Sequence, residues 1–250
     1  MMLKFCVSLT TIPSRLKFIY KTLDSIKNQS KLPDKIFLNI PYKYERFKNE
    51  KIDKEILKKI KFKNLKIVRC IDYGPGTKLL GSIKYIKKFD YVILIDDDHT
   101  YNRNMLEIFY RVASLNIKNS YSFCVQKIKD CYIGQGADGF LINTKYLKLI
   151  LNFYKKFVKN NSKLFYNDDL WISIYLNKLI KIKIKNLNKF LEKSFFKKNT
   201  SIYKKHTTIN ALIEDYNLNR KLARKLRYNE NSLEYLRLKK QTANFKKLSY

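Results

Sequence analysis

Residues 91–98 read YVILIDDD: five apolar residues in a row, then three aspartates. A run this short is the length of a strand, and apolar side chains at consecutive positions mean that both of its faces are covered. A strand buried on both faces needs helices on either side of its sheet. The rest of the first half supplies them. Residues 4–9, 35–40 and 65–70 read as three further strands, and the spacing predicts helices over 15–29, 53–60 and about 77–88 between them. Ser14 is placed to cap the first helix, and a glycine-rich turn over 72–78 opens the last. Strands alternating with helices predict an α/β fold with a mostly parallel central sheet and helices on both faces.

The second half is less regular. Residues 104–112, 144–159 and 168–179 carry helical spacing, 121–126 and 139–143 read as strands, and the alternating 181–185 suits an edge strand. Further on, helical spacing returns in 212–227 and 232–238. No internal repeat or linker marks a second independent unit. The expected organisation is therefore one domain over 1–200, with a nucleotide-binding half (1–100) and an acceptor half (101–200). A basic helical extension over 201–250 would pack on it.

The chain of 250 residues carries 53 Lys+Arg against 21 Asp+Glu, a formal charge of +32. Such an excess draws polyanions, whether nucleic acid, anionic lipid or phosphorylated small molecules. Its even spread, together with abundant Lys, Asn, Ile, Tyr and Phe, equally fits a compositional bias, so specific nucleic-acid binding is not expected. With 45% hydrophobic residues the chain can build a core. Residues 1–13 lack the apolar stretch of a secretory signal, and no segment approaches a membrane span. Cys6, Cys70, Cys124 and Cys131 show no metal or redox spacing and read as reduced, small core residues. A cytoplasmic location is expected, or the host cytoplasm for a viral chain, with peripheral contact to an anionic membrane through the basic C-terminal helices left open.

Three segments carry chemistry. In an open α/β sheet ligands gather at the carboxyl ends of the strands, where Asp96, Asp97 and Asp98 stand. Side chains alternate along extended backbone, so Asp96 and Asp98 face one side. Two carboxylates there repel unless a cation lies between them, and oxygen donors suit Mg²⁺ or Mn²⁺. The competing role, a helix N-cap, needs one acid and not three. The turn Asp72-Tyr73-Gly74-Pro75-Gly76-Thr77-Lys78 lets backbone approach a ligand, and the following helix start and Lys78 would suit a diphosphate. It lacks the spacing of a Walker loop. In Asn167-Asp168-Asp169-Leu170-Trp171 the acids either complement a helix start or act chemically, and Trp171, the single tryptophan, offers a flat face to a sugar or fills the core. Between these segments, Gly134, Gly136 and Gly139 bring half of the chain's six glycines together around Asp138, a candidate hydrogen-bonding partner for a substrate hydroxyl. His99 adjoins the triplet as a supporting or exposed side chain, and His206 is a candidate metal ligand.

The ordered set resembles the GT-A class of glycosyltransferases, above all the small family-2-like enzymes of bacteria and large DNA viruses. It comprises a strand ending in Thr10-Thr11-Ile12-Pro13-Ser14-Arg15, then DYGPGTK, an apolar strand into DDD, GADG and NDDLW. The resemblance covers about residues 3–185 and leaves 200–250 unassigned. It implies a Rossmann-like sheet, a divalent cation, and a nucleotide-diphosphate sugar, with UDP favoured, as donor to the hydroxyl of a glycan, lipid-linked or protein acceptor. By the same resemblance Asp96 and Asp98 form a DxD motif, with Asp98 on the metal and Asp96 on ribose or metal, and Asp97 beside them. Thr10, Thr11 and Pro13 line the nucleoside pocket, while Arg15, Asp72 and Lys78 contact base or diphosphate. Asp168 or Asp169 is the base of an inverting reaction, and Gly136, Asp138, Gly139 and Trp171 meet the substrate. Two other readings stay open: a nucleic-acid-binding protein, which explains the charge but not the triplet, and a non-catalytic carbohydrate-binding protein on a transferase fold.

Overall fold

The computed structural model describes residues 3–187, 196–198 and 220–242. Strands β1 (Phe5–Thr10), β2 (Lys35–Pro41), β3 (Leu65–Cys70) and β4 (Tyr91–Leu94) run parallel, with β1 between β2 and β4. A short strand β5 (His99–Tyr101) follows the acidic triplet, then β6 (Ser120–Ser122) and the hairpin of β7 (Val125–Ile128) and β8 (Cys131–Gly134). Strand β9 (Phe140–Asn143) lies antiparallel between β4 and β6, and β10 (Ile184–Asn186) closes that edge parallel to β6. The seven-stranded order is β10-β6-β9-β4-β1-β2-β3. Strand β11 (Phe196–Lys198) returns to pair antiparallel with β5, opposing Lys198 to His99.

Alternation along the central strands divides the core into two. Val92 and Leu94 of β4 enter one cluster with Cys6, while Tyr91, Ile93 and Ile95 enter the other with Phe5, Val7 and Leu9. All five side chains from 91 to 95 are at most 1% exposed, which is what a strand covered on both faces requires. Helices α1 (Ile19–Lys27) and α5 (Met105–Leu115) cover the second face: Ile19, Leu23 and Ile26 lie on one stripe of α1, and Met105, Leu106, Phe109 and Ala113 on one stripe of α5. Helix α2 (Lys54–Lys59) starts where the Asp53 carboxylate accepts from the backbone N–H of Glu55 at 2.8 Å and of Ile56 at 3.1 Å.

Several helices are broken where periodicity predicts continuity. Pro13 occupies the first position of a 3₁₀ turn, Pro13–Phe18, which precedes α1 and places Ser14 inside the turn, not at its cap. Leu16 and Ile19 are three apart, a spacing that both helix types bury equally well, so the pattern alone does not separate them. The helix expected over 77–88 is two pieces, α3 (Thr77–Leu80) and α4 (Ile83–Ile86). They part at Gly81, where a Cβ would lie 2.9 Å from both Asn39 Cβ and Cys70 Sγ. Residues 144–158 pass from a 3₁₀ turn through α6 (Ile150–Phe153) into a π-helical turn, Tyr154–Val158. After α7 (Ser162–Phe165), α8 (Asp168–Ile174) likewise continues as a π turn, Tyr175–Leu179.

Helix α9 (Arg220–Thr242) is continuous across the gap expected between its two predicted pieces, and residues 212–219 of the first lie outside the described residues. It packs on α8 and the β7–β8 hairpin. Asn167 donates to Asn231 at 2.7 Å, Asn161 donates to Glu234 at 3.0 Å, and Tyr235 and Lys239 both reach Asp130. Cys6, Cys70 and Cys131 are buried and Cys124 is partly buried, all as free thiols. No helix among the described residues is long and apolar enough to cross a membrane.

Candidate active site

A cavity of about 380 Å³ opens at the carboxyl ends of the parallel strands. Its walls come from the ends of β1 and β2, the Asp72–Lys78 turn, the acidic triplet, the loop before β9, and the start of α8. Thr10, Thr11, Arg15, Asp72, Lys78, Asp96, Asp97, Asp98, Asp168 and Asp169 all line it, so one chamber collects residues from 10 to 169.

Strand β4 ends at Leu94, and the triplet lies in the turn that leads into β5. Asp97 turns inward, accepting from Thr11 Oγ1 at 2.5 Å and from Arg15 at 2.8 Å. Arg15 also lies 3.2 Å from Asp98, and thus neutralises acids instead of presenting its charge freely to a ligand. Burial works against the guanidinium charge, but Asp97 and Asp98 outweigh it and raise its pKa. For Asp97 burial prevails and raises the carboxyl above its usual range. Thr22 fixes the backbone here, donating to the carbonyls of Asp97 at 2.8 Å and His99 at 2.7 Å.

Asp96 and Asp98 come together with His99. Each of the three brings a ligand atom within 4.8 Å of the others. The Nδ1 atom of His99 stands 2.7 Å from Asp98 Oδ1. Burial opposes charge on both, yet their mutual attraction prevails, raising the imidazole and, with help from Arg15, lowering the carboxyl. Two carboxylates and an imidazole fit a divalent cation, and the nitrogen donor favours Mn²⁺ over the oxygen-seeking Mg²⁺. His99 is buried inside the acidic cluster and not exposed, and its bond to Asp98 agrees with a supporting role as well as with a place among the possible ligands. His206 lies outside the described residues.

Lys78 is the hub of the cavity. Its ammonium is 4% exposed, bonds Asp96, and lies 3.1 Å from Asp168 Oδ2. Burial opposes its charge, and Asp168, Asp96 and Asp169 overcome this and raise it well above the usual lysine range. Asp168 is buried with it. Asp169 is partly exposed and accepts from the Gly136 N–H at 2.9 Å. Desolvation first, and then the neighbouring Asp168, raise Asp169 to about 8. Burial and the like charge beside it outweigh what the start of the short helix α8 contributes.

The glycine-rich turn differs from its expected role. The N–H groups of Thr77 and Lys78 bond the carbonyls of Gly74 at 3.0 Å and Pro75 at 3.2 Å, so they are not an open anion cradle. Asp72 stays within the turn and its surroundings, accepting from Gly74 at 2.8 Å and Glu45 at 2.7 Å. Gly74, at φ +60°, has no room for a side chain against Phe165, and a Cβ on Gly76 would lie 2.7 Å from Trp171 Cζ2. The glycines let the turn sit directly on α7 and α8. Trp171 is correspondingly 0% exposed and packs beside Tyr154, with no ring face open to a sugar. It is a core residue because α8 directs that position inward.

Of the other expected contacts, Pro13 begins its 3₁₀ turn outside the cavity lining. Gly136, Asp138 and Gly139 lie just behind the wall, which Gln135 and Ala137 form. Gly136 bonds Asp169, and a Cβ there would meet Lys78 Nζ at 2.9 Å. Gly139, at φ +89°, presses on Phe109, and Asp138 is buried. Tyr44, Arg46, Phe47, Tyr166 and Arg227 line the cavity without having been singled out from the sequence. In a chain with 53 Lys+Arg, neither arginine carries a distinguishing signal.

The fold is similar to that of solved glycosyltransferases. S. aureus TarS 1–349 in complex with UDP-GlcNAc superposes with a TM-score of 0.54 at 16% identity, over 85% of this chain and 64% of that one. Mannosyltransferase PcManGT from Pyrobaculum calidifontis in complex with GDP-Man and Mn²⁺ gives 0.51 at 12% identity, over 74% and 55%. The chain thus spans less than two thirds of either. No protein family and no curated protein matches it. The fold is the GT-A fold of nucleotide-sugar glycosyltransferases.

Proposed function

We propose that the chain is a glycosyltransferase that moves a sugar from a nucleotide-diphosphate donor to an acceptor hydroxyl. One observation carries this reading: a cation-type cluster (Asp96, Asp98 and His99) and a free-edged carboxylate (Asp169) face one cavity at the strand ends. The donors of the solved neighbours, UDP-GlcNAc and GDP-Man with Mn²⁺, are of the class such a cavity would take.

Asp96, Asp98 and His99 would hold the cation, which supplies positive charge to the departing diphosphate. Lys78 adds a second charge from beneath and keeps Asp96 and Asp168 in place. Thr10, Thr11 and Tyr44 line the side where the nucleoside would lie. Asp169 is the general base. It has the exposure to meet a hydroxyl, and it is not held in an ion pair by Lys78, so its ionised form is open to accept the proton. As the acceptor oxygen bonds the anomeric carbon, the bond to the diphosphate breaks and the hydroxyl proton passes to Asp169, inverting the centre.

The test is thermal denaturation with UDP-, GDP- and dTDP-sugars, in Mn²⁺ or in EDTA. A ligand that binds the folded chain raises Tm by mass action. A metal-dependent rise with one donor is expected, and silence with every donor overturns the proposal. NMR of the product then reads the anomeric configuration, and retention refutes Asp169 as the base of a single displacement.

A further inference from the structure

Arg227 is the residue through which α9 reaches the cavity. Its place is fixed one helical turn before Asn231, whose side chain bonds Asn167, the residue preceding the two acids of α8. Glu234 and Tyr235, a turn further on, tie the same helix to Asn161 and Asp130. Arg227 is thus held over the start of α8. The acids that act on it are Asp169, Glu230 of its own helix and Asp168, and none of Asp96–Asp98. Even so, no carboxylate among the described residues forms an ion pair with it: Lys78 has Asp168, and Asp169 accepts from Gly136.

Across the same lining, Arg46 is exposed, its guanidinium 5.9 Å from the ring centroid of Tyr166. The cavity therefore has two electrically different ends. One holds the triplet, with Arg15 and Lys78 neutralising it. The other includes Arg46, beside Tyr166, and Arg227, neither of them in an ion pair among the described residues. A guanidinium fork matches a phosphate or carboxylate by paired hydrogen bonds. The donor's diphosphate belongs at the cation end, so this charge is left for the other substrate.

We propose that Arg227 and Arg46 form an anion seat for the acceptor, and that the acceptor carries a phosphate or carboxylate near the hydroxyl that is glycosylated. This rests on the transferase reading for the name of the ligand, but not for the existence of the seat. Calorimetric titration of the full chain with glucose 6-phosphate, glucuronate and glucose, each with and without saturating UDP and Mn²⁺, tests it. The phosphate and carboxylate arms separate the two sources of charge. One or both charged sugars should bind in the presence of UDP, and glucose should not. Arg227→Ala and Arg46→Ala should each weaken that binding by about tenfold or more, the worth of a charged hydrogen bond, with UDP affinity unchanged. Arg46 is exposed, so its variant keeps the test independent of folding. Equal binding of glucose and the charged sugars, no effect of either variant, or a loss of UDP affinity with charged-sugar binding intact each overturns the proposal. If UDP and Mn²⁺ fail to bind, the transferase reading is what fails, and the nucleotide-free titrations still score the seat.

Discussion

Replacing Lys78 by methionine removes one positive charge and little volume from a site that is 4% exposed. Asp168, at 9% exposure, and Asp96, at 31%, then face each other and Asp169 without a cation. Breaking a buried ion pair from one side costs about 3–5 kcal/mol, because the remaining charge stays desolvated. The partial exposure of Asp96 places the expected loss toward the lower figure. For a chain of this size, 1 kcal/mol is worth about 2–4 °C, so Tm should drop by roughly 6–12 °C in EDTA. The deficit should shrink at low pH, where the stranded carboxylates take up protons. It should also shrink in Mn²⁺, since a cation at the neighbouring cluster resupplies the charge. Urea denaturation of Lys78→Met and wild type, in EDTA and in Mn²⁺, measures both effects. A variant within about 1 kcal/mol of wild type in EDTA would refute the assignment of Lys78 as the electrostatic hub.

Three further outcomes are expected. Asp169 has a folded value near 8 against an ordinary 3.8, so between those limits the unfolded chain has released a proton that the folded chain keeps, and stability falls as pH rises through that window. Asp169→Asn should therefore melt higher than wild type at pH 8 and equally at pH 4, while turnover falls about 10²–10⁴-fold; an unchanged Tm difference across pH would contradict the value, and full turnover the role. Gly136→Ala places a methyl 2.9 Å from Lys78 Nζ, and should lower turnover at least tenfold while circular dichroism shows an intact fold; normal turnover would mean that the ammonium moves aside freely. Gly81→Ala drives a methyl against Thr77 O, Asn39 and Cys70, all within 2.9 Å, and should cost about 1–3 kcal/mol in chemical denaturation without altering donor specificity.

The parallel sheet was legible because β4 states its own burial: five apolar residues at successive positions leave no face for water. The triplet's place at the end of β4 was legible too, but its side chains are sorted by a turn at Asp97–Asp98 and by Arg15, not by strand alternation. What the sequence concealed depends on contacts between distant segments. Trp171 fits a sugar platform or a core residue equally well, and only the turn pressed on it through Gly76 decides. The same contact explains the glycines, which admit a helix where a phosphate was expected. His99 follows the triplet directly, but its place in the acidic cluster depends on the chain re-entering extended backbone in β5. Arg227 is 58 residues beyond Asp169, and its place at the cavity depends on a buried amide pair that no local pattern announces.

That amide pair makes α9 and the start of α8 one mechanical unit. Asn167 and Asn231 are 7% and 8% exposed, and each would be left short of a partner if α9 lifted away. An unmatched buried amide costs about 1–3 kcal/mol, so undocking of α9 and loosening of the first turn of α8 occur together. Amide hydrogen exchange in residues 168–171 should then follow the exchange of residues 231–235, and a chain cut before α9 should lose protection at the carboxylates that the cut never touches.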